Sequence, residues 1–107
     1  MVIRRFDIWL VSLDPTVGHE VRKTRPCVVV SPDSFNRHIQ TFITIPMTSK
    51  GMPYPNRVDC RFRGKDGQIM VDRIRACDRL RFIRKLGRLD PATSMKVLEV
   101  LQEMFAP

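Results

Sequence analysis

Arg57-Val58-Asp59-Cys60-Arg61-Phe62-Arg63 alternates without a break. Val58, Cys60 and Phe62 fall on one side of an extended chain, and Arg57, Asp59, Arg61 and Arg63 on the other. This period-two pattern belongs to a strand with one face on a core and a basic face in water. The following Gly64-Lys65-Asp66-Gly67 reads as a turn, and Gln68 to Ala76 as the next strand. There Asp72 shares a side with Met70, Ile74 and Ala76. An unpaired carboxylate is costly to remove from water, so an arginine or backbone donors are expected against it.

Upstream, Ile8 to Leu13 is short, β-rich and apolar on both faces, and ends at Asp14-Pro15, as a strand buried in a small barrel would. A polar loop from Thr16 to Thr24 leads to a second apolar strand, Cys27 to Val30, opened by Arg25-Pro26. Proline is tolerated at a strand start, where its missing N–H need not belong to the ladder. Thr41 to Met47 is a third strand. Downstream, Arg79 to Arg88 reads as a short helical turn followed by a strand. Asp90-Pro91 is a helix start, with an Asp cap and proline at the first helical position. The helix should reach Phe105, packing Met95, Leu98, Leu101 and Phe105 inward with Val97 and Met104 beside them, and showing Lys96, Glu99 and Glu103 to water. Several strands and one amphipathic helix make a mainly β, antiparallel, barrel-like single domain over residues 1–107.

The chain has 107 residues, with 19 Lys and Arg against 11 Asp and Glu, a net charge of +8. Such a surface attracts polyanions, nucleic acid first among them. Cys27, Cys60 and Cys77 are odd in number and set among strand residues, so reduced thiols are expected. No CxxC pair exists and His19 and His38 lack ligand spacing, so neither a metal site nor another cofactor is expected. The apolar run at the N-terminus is too short for a leader or a membrane span, and a cytoplasmic protein is the expectation that follows.

Cutting RNA with side chains alone requires a base for the 2′-hydroxyl, an acid for the leaving 5′ oxygen, and donors for the charge growing on the phosphate. The loop Gly18-His19-Glu20-Val21-Arg22-Lys23-Thr24-Arg25-Pro26 gathers a histidine, a carboxylate and three cations between two strands, where functional groups commonly sit. It follows Asp7-Ile8-Trp9-Leu10-Val11-Ser12-Leu13-Asp14-Pro15-Thr16. Together with Ser31-Pro32, Phe35-Asn36, Ile45-Pro46-Met47-Thr48-Ser49, Val71-Asp72, Ile74-Arg75 and Arg84-Lys85-Leu86-Gly87-Arg88-Leu89, these blocks resemble the MazF/PemK/Kid family of toxin ribonucleases along nearly the whole chain.

The resemblance implies a small antiparallel, SH3-like barrel of the PemK/CcdB kind with a C-terminal helix. It also implies a homodimer that cleaves single-stranded RNA at a short preferred sequence without a metal, leaving a 2′,3′-cyclic phosphate and a 5′-hydroxyl. An acidic, MazE-like antitoxin would occupy the basic groove. Position by position, Arg25 matches the principal catalytic arginine; by residue context alone it is equally a charge guarding a strand edge. Thr48 matches a hydroxyl placed to hold a phosphate oxygen, with Ser49 beside it in what is otherwise an ordinary turn. His19 stands where some members carry histidine, a residue suited to acid–base work near neutral pH. Glu20 matches a recurring carboxylate that acts as a base or holds Arg25 in place. Asp72 matches a proposed acid or base, an ion pair being the competing reading, while Arg75 and Lys23 are candidate RNA contacts. Met70, Arg73 and Phe6 depart from the family, which typically has glycine at the last of these positions. Trp9 and Phe42 read as core. Two other readings remain open at this point: a CcdB-like toxin directed at gyrase, and a basic barrel that binds nucleic acid without cutting it.

Overall fold

The structure is a computed structural model that describes residues 2–13 and 23–107. Its strands are β1 (Asp7–Ser12), β2 (Thr24–Val29), β3 (Thr41–Thr48), β4 (Arg57–Phe62), β5 (Lys65–Met70), β6 (Arg75–Asp78) and β7 (Phe82–Arg88). A short helix, α1 (Asp33–Asn36), follows β2, and the long helix α2 (Pro91–Phe105) comes last. The architecture is the expected mainly β, antiparallel one with a C-terminal helix, its strands ordered β4-β5-β3-β2-β1-β7. Among the described residues no helix is long and apolar enough to cross a membrane.

On its edge away from β2, β3 serves two ladders. Its first half, Thr41 to Thr44, pairs with β6, and its end, Met47 and Thr48, pairs with β5. Pro46, which has no N–H to give, lies in the gap between them. The single strand expected from Gln68 to Ala76 is therefore broken. Ile69 faces Met47 and Arg75 faces Thr44, and the surplus residues on this side coil into a 3-10 turn at Val71–Arg73. Asp72 is thereby lifted out of the ladder. The turn expected over Gly64 to Gly67 is also shorter than expected. Arg63 and Gly64, at φ 52° and 76°, close a two-residue hairpin, and β5 begins at Lys65.

No ladder joins β4 to β7, so the sheet is curved but not closed. Side chains span this seam: Arg63 Nη2 donates to the Leu86 carbonyl at 2.7 Å, and the Phe62 ring lies against Gly87.

The β1–β3 sheet is buried on both faces, as the sequence of β1 anticipates. Trp9, Val11 and Leu13 point into one cluster with Cys27, Val29 and Phe42. There Phe82 meets Trp9 and Phe42 edge to face, at 5.8 and 5.3 Å between centroids. Ile8, Val28, Ile45 and Met47 point into the other cluster, closed by Val58 of β4 and by Val97 and Val100 of α2. Asp7, fully buried, ties β1 to β7 by accepting from Arg88 Nη1 at 2.6 Å and from the Arg4 amide at 2.9 Å, with Lys85 Nζ at 3.4 Å.

Helix α2 starts as expected, with Asp90 Oδ2 accepting from the Thr93 amide at 3.0 Å. Its packed face is rotated from expectation. Ser94, Val97 and Val100 are buried, while Met95 and Phe105 are 62% and 71% exposed. Arg57 also departs from the expected solvated face: its side chain is only 6% exposed, lies over Tyr54, and donates to Asp72 Oδ1 at 2.8 Å and Oδ2 at 3.3 Å. The partner expected for Asp72 is thus Arg57, with Arg73 Nε at 3.5 Å. The Ser31 and Asn36 of the matched blocks are structural: Asn36 Nδ2 donates to the Ser31 carbonyl at 2.8 Å, and the Ser31 hydroxyl donates to Asn36 Oδ1 at 2.5 Å.

Candidate functional site

The seam opens into a cleft of about 400 Å³ lined by both of its edges and by the ends of β2 and β3. Leu10, Pro26, Phe62 and Leu86 make it apolar; Arg25, Thr48, Ser49, Arg63, Lys65 and Arg84 supply its polar groups. Arg25 is the second residue of β2, opposite Val11, and its Nε is buried with no hydrogen-bond partner among the described residues. A buried guanidinium N–H without an acceptor carries a desolvation penalty that an arriving anion would remove.

Thr48 ends β3, and its Oγ1 accepts from the Lys50 amide at 3.1 Å. With a lone pair used there, the hydroxyl hydrogen has no acceptor among the described residues and can donate. Two features of β5 hold this end of β3. Gly67 packs so close that a Cβ on it would lie 2.5 Å from the Thr48 carbonyl oxygen. Gln68, facing Thr48 in the ladder, uses its side-chain amide to bond Met52 N at 2.9 Å and Met52 O at 3.1 Å, tying down the loop that leaves Thr48.

Of the residues singled out from the sequence, Arg25, Thr48 and Ser49 come together in the cleft. Asp72 and Arg75 do not line it; the Arg75 carbonyl accepts from Thr44 Oγ1 at 3.2 Å at the far half of β3. Lys23 is exposed at φ 62°, just before β2, and its carbonyl accepts from the Leu13 amide at 2.8 Å. His19 and Glu20 lie outside the described residues. Thr24, four positions after Glu20, lines the cleft. The sequence reading missed Lys65, which it placed in a turn. Beginning the strand three residues earlier would have shown Lys65, Gly67 and Ile69 on one side, with Cys60 and Phe62.

All three cysteines are free, and Cys27 and Cys77 are buried. Burial pushes the Cys27 thiol up to about 12, with the neighbouring Cys77 adding to the shift. Cys60, half-buried at the cleft, is raised as well, first by burial and then by Asp59. Among the described residues no three His, Cys, Asp or Glu side chains are grouped to hold a metal.

A family profile described as PemK-like, MazF-like toxin of type II toxin–antitoxin system matches residues 4–105. The chain belongs to the PemK/MazF toxin family. Endoribonuclease EndoA of Bacillus subtilis is 32% identical over 112 residues, covering 99% of this chain and 97% of that protein. Endoribonuclease PemK of Escherichia coli is 51% identical over a shorter stretch of 49 residues, 46% of this chain and 37% of PemK. The crystal structure of MazF from Deinococcus radiodurans superposes with a TM-score of 0.86 at 25% identity, covering 97% and 96% of the two chains. The seam and its cleft are therefore features of a PemK/MazF toxin.

Proposed function

We propose that the cleft holds one phosphodiester of single-stranded RNA between Arg25 and Thr48 and cuts it by attack of the adjacent 2′-hydroxyl. The protein is an endoribonuclease of its family, which fits its endoribonuclease relatives. The observation that carries the finer reading is the meeting of Arg25, its Nε buried and unpartnered among the described residues, with the donor-poised Thr48 on one concave surface. Arginine stays protonated throughout, so its part is to donate to the phosphate oxygens as charge grows on them. Thr48 adds a neutral donor that fixes the phosphate in line. The proton leaving the 2′-hydroxyl goes to His19 or Glu20, and the group so protonated, or its neighbour, returns one to the departing 5′ oxygen. This leaves a 2′,3′-cyclic phosphate and a 5′-hydroxyl without a metal. Asp72, bonded to Arg57 and away from the cleft, is assigned to holding β4 against the 3-10 turn.

The same reading makes the protein a homodimer and the toxin half of a pair, restrained in the cytoplasm by an acidic, MazE-like antitoxin that competes with RNA for the cleft. Exposed Leu80, Ile83, Met95 and Phe105 offer apolar surface for such contacts. Light scattering on the purified protein, alone and with an acidic antitoxin peptide, should report a dimer and a complex; a monomer that ignores the peptide would refute this part.

Purified protein should cut mixed-sequence single-stranded RNA in EDTA, with 5′-hydroxyl ends clustered at one short sequence. Arg25→Ala and Thr48→Ala should each lower kcat by roughly 100-fold or more while remaining folded, the scale of one lost transition-state donor. A folded double variant that cuts like the wild type would refute the site. Wild type that binds RNA or a protein target and leaves RNA whole would refute cleavage itself.

A further inference from the structure

We propose that Lys65 and Arg84 form a second phosphate site, a clamp across the seam that holds the RNA backbone beside the phosphodiester gripped by Arg25 and Thr48. This rests on the RNA reading of the cleft. Lys65 opens β5 and pairs with Phe62 in the hairpin; Arg84 lies on β7 opposite Leu10. The edge strands are β4 and β7; Lys65, at the hairpin end of β5 beside β4, and Arg84, on β7, both line the cleft that opens where these two edges fail to pair.

The partners of their neighbours single them out. Arg57 is held by Asp72, Arg61 by Asp66, Arg63 by the Leu86 carbonyl, and Lys85 and Arg88 by Asp7. The side chains of Lys65 and Arg84 have no hydrogen bond or ion pair among the described residues. Asp66, the carboxylate at the cleft, is bonded to Arg61 at 2.8 Å, and the two face each other in the hairpin ladder on the side away from Lys65. Two cations lining one cleft with an apolar floor repel, and an anion seated between them turns that repulsion into attraction. The backbone of a single strand supplies a phosphate next to the one being cut. The apolar floor of Leu10, Phe62 and Leu86 excludes water beneath it, which strengthens the contact.

The clamp is tested with Lys65→Gln, Arg84→Gln and the double variant, measuring Kd for a single-stranded DNA oligonucleotide, which lacks the 2′-hydroxyl and so stays whole, across a salt series. If one phosphate is shared, the slope of log affinity against log salt should become shallower by about 0.7 in the double variant and by nearly as much in each single one. Lys96→Gln, on α2 beside Glu99, serves as the control and should leave the slope at its wild-type value. On RNA the double variant should raise KM about 10-fold or more while kcat stays within about threefold, the pattern of lost uniform binding. An unchanged slope overturns the clamp, and so does a loss that is additive between the single variants, because that places the two cations on separate phosphates. Wild type that binds the oligonucleotide yet cuts no RNA would overturn the cleavage reading, while the slope still decides the clamp.

Discussion

Replacing Gly67 by alanine probes how finely Thr48 is placed. The added Cβ would sit 2.5 Å from the Thr48 carbonyl oxygen, a backbone atom that cannot rotate away. Restoring an ordinary contact requires the strands to part by about 0.9 Å at the residue whose hydroxyl is to meet the phosphate. A misplacement of about 1 Å at a reacting centre costs on the order of 100-fold in rate. Overpacking should also lower stability, by about 1–3 kcal/mol. Single-turnover cleavage of one RNA oligonucleotide, with kcat and KM separated, should show the loss in kcat. The decisive arm is Gly67→Ala in a Thr48→Ala background, where it should have little further effect, because the hydroxyl it displaces is already gone. Gly51→Ala, whose Cβ would meet only the Gln68 side chain at 3.6 Å, should behave like the wild type. Losses that multiply in the double variant, or an unaltered kcat in folded Gly67→Ala, would show that the close approach does not position Thr48.

Asp72→Asn should weaken the hold on the buried Arg57 guanidinium and lower stability by about 1–3 kcal/mol in urea titration, with kcat on RNA preserved; a collapse of kcat at unchanged stability would make it catalytic after all. The Cys27 thiol, raised to about 12 in the folded chain against 9.0 for an ordinary thiol, stabilises the fold fully below pH 9. Above that the unfolded chain loses the proton first, so stability should fall by about 1 kcal/mol per pH unit between 9 and 12, more steeply than in Cys27→Ala. Equal slopes in denaturation curves across that range would refute the assignment. Asp90→Ala should remove the cap on α2 and cost about 1 kcal/mol. The Thr93 amide holds the Asp90 carboxyl below its usual value, so this contribution is present above pH 3.8 and is lost on acidification; circular dichroism of the two proteins at pH 7 and pH 2 checks it.

Local patterns carried most of the fold. The alternation from Arg57 to Phe62 and the Asp90-Pro91 signal depend on neighbours a few residues away, and both elements are where those signals put them. Where distant contacts decide, the reading slipped. Nothing between Gln68 and Ala76 announces that this edge meets a proline-bearing strand whose partner changes halfway. Gly67 resembles a turn residue because the sequence does not reveal the backbone pressed against it. Met95 and Phe105 look like core by spacing, and only the packing of Val97 and Val100 against the sheet turns them outward. At the cleft, Arg25, Thr48 and Ser49 were legible through blocks shared with relatives. Lys65 belongs to no such block, and the role proposed for it depends on a gap between strands far apart in sequence. The departure at Phe6 has its own physical reading: the residue sits at φ 69°, a conformation that favours the glycine the resemblance implies there, and Arg5 covers its ring here.

Because no main-chain ladder crosses between β4 and β7, the width of the opening there is set by side chains, among them the guanidinium of Arg63 on a carbonyl and the Phe62 ring resting on a glycine. Substitutions at Arg63, Phe62 or Gly87 can widen or narrow it while both buried layers stay as they are. A scaffold arranged this way can change the shape of what it admits through side-chain exchange alone, leaving no trace in the backbone.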